Sequence, residues 1–100
     1  MTVYKIRYNL EALNDIEKCF QWGVHVWGVE AAKRWYNALE NTIEKRLSLY
    51  PLACPLGPEN REFDFEVRHL INGRYRVLFR IKYETVVIIY VRGPFADNAE

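Results

Sequence analysis

Residues 74–91 read RYRVLFRIKYETVVIIYV, and this stretch decides the fold. Its first half alternates apolar with basic side chains, which is the pattern of a β-strand with one buried face. The side chains predicted for the buried face are Tyr75, Val77, Phe79 and Ile81. Those predicted for the outer face are Arg74, Arg76, Arg80 and Lys82, together with Leu78. Residues 85–91 are apolar on both faces, which predicts a central strand.

The residues before this stretch predict a further strand. Residues 63–71 alternate, and the apolar side chains on one side are Phe63, Phe65 and Val67. A two-residue turn at Asn72-Gly73 would pair Arg68 with Val77 and place this arginine on the core face. We therefore expect a longer or bulged loop, which pairs Arg68 with Arg76 on the outer face.

The N-terminal half predicts a strand and two helices. Residues 2–8 alternate as a strand, and Asn9 is suited to cap the helix that follows over residues 10–24. Gly23 and Gly28 bracket a break, and a second helix over residues 29–49 ends before Pro51. The apolar stripe of the first helix consists of Leu13, Ile16, Phe20 and Val24. That of the second consists of Ala32, Trp35, Tyr36, Leu39, Ile43 and Leu47.

This order of elements predicts the fold class. A strand, two helices and three antiparallel strands form an α+β domain, in which the two-helix hairpin packs on one face of a small antiparallel sheet and the N-terminal strand lies at its edge. One hundred residues make a single domain over residues 1–100, and we expect residues 94–100 to be a flexible tail. The proline-rich loop of residues 51–58 is expected to lie on the surface, held by Leu52 and Leu56.

The composition is that of a globular domain, since half of the residues are hydrophobic. Cys19 and Cys54 lack the spacing of a metal site, so we expect reduced thiols and neither metal nor cofactor. The N-terminal residues carry charges where a signal peptide would be apolar. The longest apolar run, residues 86–91, is far shorter than the roughly 18 residues of a membrane helix. We therefore expect a cytoplasmic protein that does not bind membranes.

The net charge of +1 conceals a local surplus of positive charge. Residues 67–92 contain six basic residues and one acid, Glu84, which gives this part a formal charge of +5 and the rest −4. Five of the six are arginines, which suit bidentate contacts with carboxylates or phosphates. The pattern predicts either an ordinary solvated sheet face or a surface that binds a protein or RNA. The residues predicted for this binding surface are Arg74, Leu78, Arg80, Lys82, Val87, Ile89 and Val91.

Motifs for known catalytic chemistry are missing from the sequence. It contains no nucleophile elbow, no zinc-protease motif, no phosphate-binding loop and no cluster of carboxylates. His25 falls in the predicted interhelical turn and His69 in a strand, so a structural role is the simpler interpretation of both. These observations neither require nor exclude enzymatic activity.

Several segments of the chain occur together in a known order. They are residues 28–39 (GVEAAKRWYNAL), residues 51–58 (PLACPLGP), residues 66–70 (EVRHL), residues 73–80 (GRYRVLFR) and residues 86–92 (VVIIYVR). In this order and spacing the chain resembles the RelE/ParE family of toxins over about residues 3–93. The fold that the resemblance implies, two helices against an antiparallel sheet, agrees with the one predicted above.

The resemblance implies the toxin half of a bacterial type II toxin–antitoxin pair, of the kind often called a plasmid stabilisation protein. It also implies a cognate antitoxin whose extended segment covers apolar surface on the helices and the sheet. ParE-like members act on DNA gyrase, whereas RelE-like members cut messenger RNA on the ribosome. By this resemblance, a nuclease would use Arg68, Arg76 and Arg92 as its catalytic residues, through cationic stabilisation of the transition state.

The C-terminal residues favour the ParE-like alternative. Residues 93–100, GPFADNAE, contain no Tyr, Lys or Arg, whereas ribosome-dependent members often carry a Tyr near the C-terminus. We therefore expect growth inhibition by protein–protein interaction, with mRNA cleavage as the alternative and an inactive, antitoxin-binding relative as the third. In the structural alternative, Arg68 and Arg76 pair with Glu66 or Glu62 and hold the sheet face. A homodimer is compatible with each of these readings.

Overall fold

The computed structural model describes residues 2–93, so the tail expected at residues 94–100 lies outside the described residues. It confirms the predicted α+β order of a strand, two helices and three strands. The strands are β1 (Lys5–Tyr8), β2 (Arg68–Asn72), β3 (Tyr75–Lys82) and β4 (Thr85–Arg92). The helices are α1 (Leu10–Trp27) and α2 (Val29–Leu49), followed by two short 3₁₀ turns at Pro51–Ala53 and Pro58–Glu62.

The four strands form one sheet in the order β1-β4-β3-β2. The predicted position of β1 at the edge is confirmed, and β4 lies in the interior between β1 and β3. The sheet is mixed rather than fully antiparallel, because β1 runs parallel to β4 while the other two pairs are antiparallel. The two helices cross from β1 to β2 at the opposite edge, and the antiparallel strands β2, β3 and β4 then bring the chain back beside β1.

The predicted break between the helices is confirmed only at Gly28. This residue has φ +95°, a conformation that favours glycine, and it separates α1 from α2. Helix α1 continues through Gly23, which is buried where a Cβ would come within 3.0 Å of the Trp27 ring. Asn9 does not cap α1 with its side chain, and its backbone N–H instead donates to the Ile88 carbonyl.

The helix faces that pack on the sheet are close to the predicted stripes. In α1 the buried residues are Ala12, Ile16, Cys19 and Gly23, so the stripe is rotated by about one position and Leu13 is 49% exposed. In α2 the buried residues are Ala32, Leu39, Ile43 and Leu47, as predicted, whereas Tyr36 is exposed. Of these residues, Ala12, Ile16, Leu39, Ile43 and Leu47 belong to the main core together with Val77, Phe79 and Val86 of the sheet.

The hairpin between β2 and β3 differs from the prediction. Its turn has only two central residues, Gly73 and Arg74, because Asn72 pairs with Tyr75. Gly73 has φ +64°, which suits the first central position of a tight hairpin turn. In this register Arg68 pairs with Phe79 rather than Arg76, so the expected longer loop is wrong. Arg68 therefore lies on the helix side of the sheet.

A β-bulge in β4 changes which side chains reach the outer face. Leu78 pairs with Tyr90 and Phe79 pairs with Ile88, so Ile89 is an extra residue in β4. The alternation shifts at this point and turns Val91 towards the helices, where it belongs to the main core. The prediction that Val91 shares the basic outer face is therefore wrong. The Val91 N–H donates to Asp15 Oδ2 of α1 at 2.9 Å.

Residues 63–67 form a loop rather than the start of a strand, and β2 begins only at Arg68. The preceding loop is not held by the side chains of Leu52 and Leu56, which are 62% and 44% exposed, since its buried residues are Pro51, Cys54 and Gly57. Both cysteines are buried and free, and burial raises the pKa of the Cys19 thiol to about 12. Within residues 2–93, neither helix is long and apolar enough to cross a membrane.

Candidate interaction surface on the sheet

The outer face of the sheet carries a second, smaller hydrophobic cluster. Its buried members are Val67, Leu78 and Ile89, and it is covered by Phe63, Phe65 and Tyr90. Leu78 and Ile89, predicted as exposed binding residues, are 0% and 5% exposed. The loop of residues 63–67 folds over them, so the apolar strip expected to need a partner is covered within the chain itself.

Arg68 does not face the outer surface. Its Nη1 donates to the carbonyl oxygen of Cys54 at 2.6 Å, and its Nη2 lies 3.4 Å from Glu66 Oε1. The pairing with Glu66 was foreseen, but the main contact is the carbonyl in the proline-rich loop. Arg68 thus ties that loop to the edge strand β2.

Arg76 lies on the outer face and forms a bidentate ion pair with Glu59. The Nη1–Oε1 distance is 3.1 Å and the Nη2–Oε2 distance is 2.5 Å. The hydrogen bond from Arg76 lowers the pKa of the Glu59 carboxyl, against the opposing effect of burial. Glu59 was not singled out from the sequence, because it stands among polar residues of a turn.

His69 completes this cluster. Its Nδ1 lies 3.1 Å from Arg76 Nη1 and accepts the hydrogen bond, which leaves the proton of the neutral ring on Nε2. Burial, and then the charge of Arg76, lower the pKa of His69. The imidazole is therefore neutral at pH 7.

Arg92 is the third predicted catalytic residue and lies opposite Arg76 in the β3–β4 ladder. Its guanidinium stands over the Tyr90 ring, 4.5 Å from the ring centroid. The structure thus brings Arg76 and Arg92 together on one face and leaves Arg68 on the other. Of the pair, Arg76 has its charge neutralised by Glu59.

A separate cleft of about 520 Å³ lies on the outer face between β1 and the loop of residues 63–67. Among its walls are the predicted binding residues Arg80, Lys82, Val87 and Ile89, with Phe63, Phe65 and Tyr90. Arg7, from the N-terminal strand, joins them. Arg7 was not predicted for this surface, because the parallel pairing that brings β1 beside β4 is not visible in the local sequence pattern.

Arg80 is the most constrained cation in this cleft. Its guanidinium lies 3.7 Å from the centroid of the Phe65 ring, and its Nε is buried without a hydrogen-bond partner in the described part of the chain. Arg74, in contrast, is exposed at the tip of the β2–β3 turn and does not line this cleft. Across residues 2–93, no three His, Cys, Asp or Glu side chains are grouped as metal ligands.

A family model for the ParE toxin of the type II toxin–antitoxin system parDE matches residues 6–93. The chain belongs to this family. It is therefore a type II toxin of the ParE kind, as its resemblance to RelE/ParE toxins predicted. No curated protein matches it in a sequence comparison.

Solved structures share the fold of this ParE-family toxin. One is a chain from the chromosomal ParDE toxin–antitoxin system of P. aeruginosa, with a TM-score of 0.75 and 18% identity, covering 91% of this chain and 96% of that one. Another is a chain from the RelBE2 toxin–antitoxin complex of Mycobacterium tuberculosis, with a TM-score of 0.68 and 27% identity, covering 97% of both chains.

The helices of this ParE-family toxin expose several apolar side chains. Those more than 40% exposed are Leu10, Leu13, Val26, Trp27 and Val29. A shallow cleft of about 290 Å³ between α1 and α2 is lined by Ile16, Phe20 and Tyr36, with Glu17 and Lys33 at its rim. The exposed apolar surface expected for a partner therefore lies on the helices rather than on the sheet.

Proposed function

We propose that this toxin stops growth by binding a protein target, DNA gyrase, and not by cutting messenger RNA. The observation that carries this proposal is the separation and internal pairing of the arginines that a nuclease would need. Arg68 contacts a backbone carbonyl on the helix side, and Arg76 is neutralised by Glu59. Cations stabilise the transition state of RNA cleavage when they are directed at the reacting phosphate and are not neutralised by a carboxylate.

The cognate antitoxin is the natural partner for the apolar surface of the helices. Leu10, Leu13 and Val26 are each about half exposed or more, and exposed apolar side chains of this size favour protein–protein contact where they cluster. An amphipathic antitoxin segment would cover them by the helix-in-groove mode, with Phe20 and Tyr36 forming the floor. This partner is supported by the toxin–antitoxin complexes among the structural neighbours.

Messenger RNA cleavage is the second candidate, and one observation favours it. His69, Arg76 and Arg92 lie close together on the outer face. A neutral imidazole is a competent general base, and two arginines beside it can hold a phosphate. The ion pair between Glu59 and Arg76 would have to open for Arg76 to take part.

Inducible expression of the toxin without antitoxin distinguishes these functions. We expect plasmid DNA to lose negative supercoiling soon after induction, with messenger 5′ ends unchanged. New codon-specific 5′ ends that disappear in a His69→Gln variant would establish the nuclease instead. Normal growth with soluble toxin present would indicate an inactive relative that only binds antitoxin.

A further inference from the structure

The two hairpins of the sheet have turns of the same length but different residues at the same position. In the β2–β3 turn the first central residue is Gly73, with φ +64°. In the β3–β4 turn Lys82 pairs with Thr85, so the two central residues are Tyr83 and Glu84. Tyr83 has φ +59°, and it is the one residue other than glycine with a positive φ in the described range 2–93.

The backbone conformation of Tyr83 is unfavourable for a tyrosine. A positive φ brings the Cβ of an L-residue close to the following carbonyl oxygen, which is why glycine and asparagine usually occupy such positions. Packing does not compensate for this strain, because the Tyr83 side chain is 91% exposed, the largest fraction among the large hydrophobic residues of the described range. Strained residues of this kind are concentrated at functional sites. The tyrosine at this position therefore needs an explanation other than the stability of the fold.

Backbone hydrogen bonds hold the β3–β4 turn against two other segments. The Lys5 N–H donates to the carbonyl oxygen of Glu84 at 2.9 Å, which joins the start of β1 to the turn. The neighbouring Tyr4 N–H donates to the carbonyl oxygen of Ser48 at 2.8 Å, in the last turn of α2. The turn, the start of β1 and the end of α2 therefore meet at one end of the molecule, and Tyr83 projects from a fixed support.

The segments joined at this end carry further exposed apolar side chains. Val3, before β1, is 64% exposed, and Tyr50 and Leu52, after α2, are 56% and 62% exposed. Exposed aromatic residues are the usual anchors of protein–protein interfaces, with smaller apolar contacts around them. This end of the molecule thus has the composition of a protein-binding surface, with Tyr83 as its most exposed member.

The charges beside the turn indicate the chemistry of the partner. Lys5 and Lys82 are both exposed and are both register partners of Thr85, so they flank the first residue of β4. Neither lysine forms an ion pair with a residue of the described range. Glu84 is the acidic residue within the turn itself. A complementary surface would offer an apolar pocket for the ring of Tyr83 and carboxylates at its rim for the two lysines.

We infer that Tyr83 is the anchor residue with which this toxin contacts its cellular target. The inference rests on the proposed function, in which that target is a protein, DNA gyrase. The ring of Tyr83 enters an apolar pocket on the target, and Lys5 and Lys82 meet acidic residues around it. The strain at Tyr83 is then a consequence of placing a large aromatic side chain at the tip of a tight hairpin, where it can enter a partner.

The test compares three variants of the full chain as inhibitors of supercoiling by purified gyrase. Tyr83→Asn removes the ring and suits the positive φ, and Tyr83→Phe keeps the ring. Ile71→Ala is the control, since it removes a 60% exposed apolar side chain beside the other hairpin. We expect half-inhibition by Tyr83→Asn to need at least about tenfold more toxin, with a thermal midpoint equal to or above that of the wild type. The other two variants should stay within about threefold of the wild type.

Several results would overturn the inference. Equal inhibition by Tyr83→Asn and the wild type would exclude Tyr83 as the anchor. A matching loss of affinity for the cognate antitoxin would assign Tyr83 to that partner instead. A lowered thermal midpoint of Tyr83→Asn would mean that the tyrosine stabilises the turn.

Failure of the gyrase proposal is distinguishable, because the wild-type toxin itself would then leave supercoiling unaffected. The same variants are in that case compared for growth inhibition after induction. Toxicity lost in Tyr83→Asn and kept in Tyr83→Phe would support the anchor for another protein target. Equal toxicity of Tyr83→Asn and the wild type, or a wild type without toxicity, would overturn it.

Discussion

Arg76 donates from both terminal nitrogens to the carboxylate of Glu59, although 17 residues separate the two in sequence. This bidentate pair neutralises the arginine that the family resemblance would make catalytic. It also fastens the second 3₁₀ turn (Pro58–Glu62) to the outer face of β3, beside His69. The pair therefore stabilises this surface, and it also keeps Arg76 from acting as a free cation in a nuclease site.

Breaking this pair is expected to destabilise the fold. Glu59→Gln removes the negative charge and leaves Arg76 partly buried beside His69, so we expect a loss of about 1–3 kcal/mol in the free energy of unfolding. Urea denaturation of the purified chain measures it. Glu66→Gln is the matched control, because the Glu66 side chain is 70% exposed and its pairing with Arg68 is long. A change of at most about 0.5 kcal/mol is expected there.

The same cluster predicts a decline in stability with acidification. The pKa of Glu59 lies below its ordinary value of 4.5. The stability that the ionised Glu59 carboxylate contributes to the fold is therefore complete above pH 4.5 and is lost as the pH falls through the lowered pKa. The pKa of His69 lies below its ordinary value of 6.5. The stability that the neutral His69 imidazole contributes to the fold is therefore present above pH 6.5 and is lost on acidification. Urea midpoints should therefore fall steadily from pH 7 to pH 4.

Two variants separate these contributions to the pH dependence. His69→Gln should flatten the decline below pH 6.5, and Glu59→Gln should flatten the decline below pH 4.5. A wild-type midpoint that stays constant between pH 7 and pH 5 would contradict the described environment of His69, and one that stays constant between pH 5 and pH 3 would contradict that of Glu59.

Ile89 is buried by residues 63–67, so its truncation should be costly. Ile89→Ala is expected to lower the free energy of unfolding by about 2–4 kcal/mol. Ile71→Ala is the control, since Ile71 lies in an edge strand and is 60% exposed, and it should cost less than about 1 kcal/mol. Equal small losses in both variants would mean that Ile89 is open to a partner, as the sequence pattern predicted.

The contact between α1 and the bulge in β4 gives another expected outcome. Asp15→Ala removes the acceptor of the Val91 N–H and should cost about 1–3 kcal/mol, since a buried donor is left unpaired. Hydrogen exchange at the Val91 amide should accelerate more than at neighbouring amides. Glu17→Ala, on the exposed side of the same helix, serves as the control. Unchanged exchange at Val91 in the Asp15 variant would contradict the contact.

The sequence predicted the element order because each segment has one clear hydrophobic period. Alternation in residues 74–82 predicts a strand, and helical spacing of apolar residues in residues 29–49 predicts a helix. The bulge at Ile89 could not be predicted, because residues 85–91 are apolar on both faces and either alignment buries them. The prediction of the hairpin register was wrong for a related reason, since the register depends on whether Asn72 or Gly73 is the first residue of the two-residue turn.

The candidate site was predicted only in part. The alternation of apolar and basic residues predicted that β3 carries its arginines on the outer face. It also predicted that Arg80, Lys82 and Val87 share that face, where they line the cleft. Glu59 and Arg7 come from segments far away in sequence, and only tertiary pairing reveals that they join this face. Phe63 and Phe65 follow the alternation of a strand, but they lie in a loop that covers the outer hydrophobic cluster.

The most direct test of the proposed target uses the purified toxin with purified DNA gyrase and, separately, with translating ribosomes. We predict that the toxin inhibits ATP-dependent supercoiling at concentrations near that of the enzyme, that added antitoxin restores the activity, and that ribosome-bound message stays intact. Cleavage of the message at defined codons with supercoiling unaffected would contradict it.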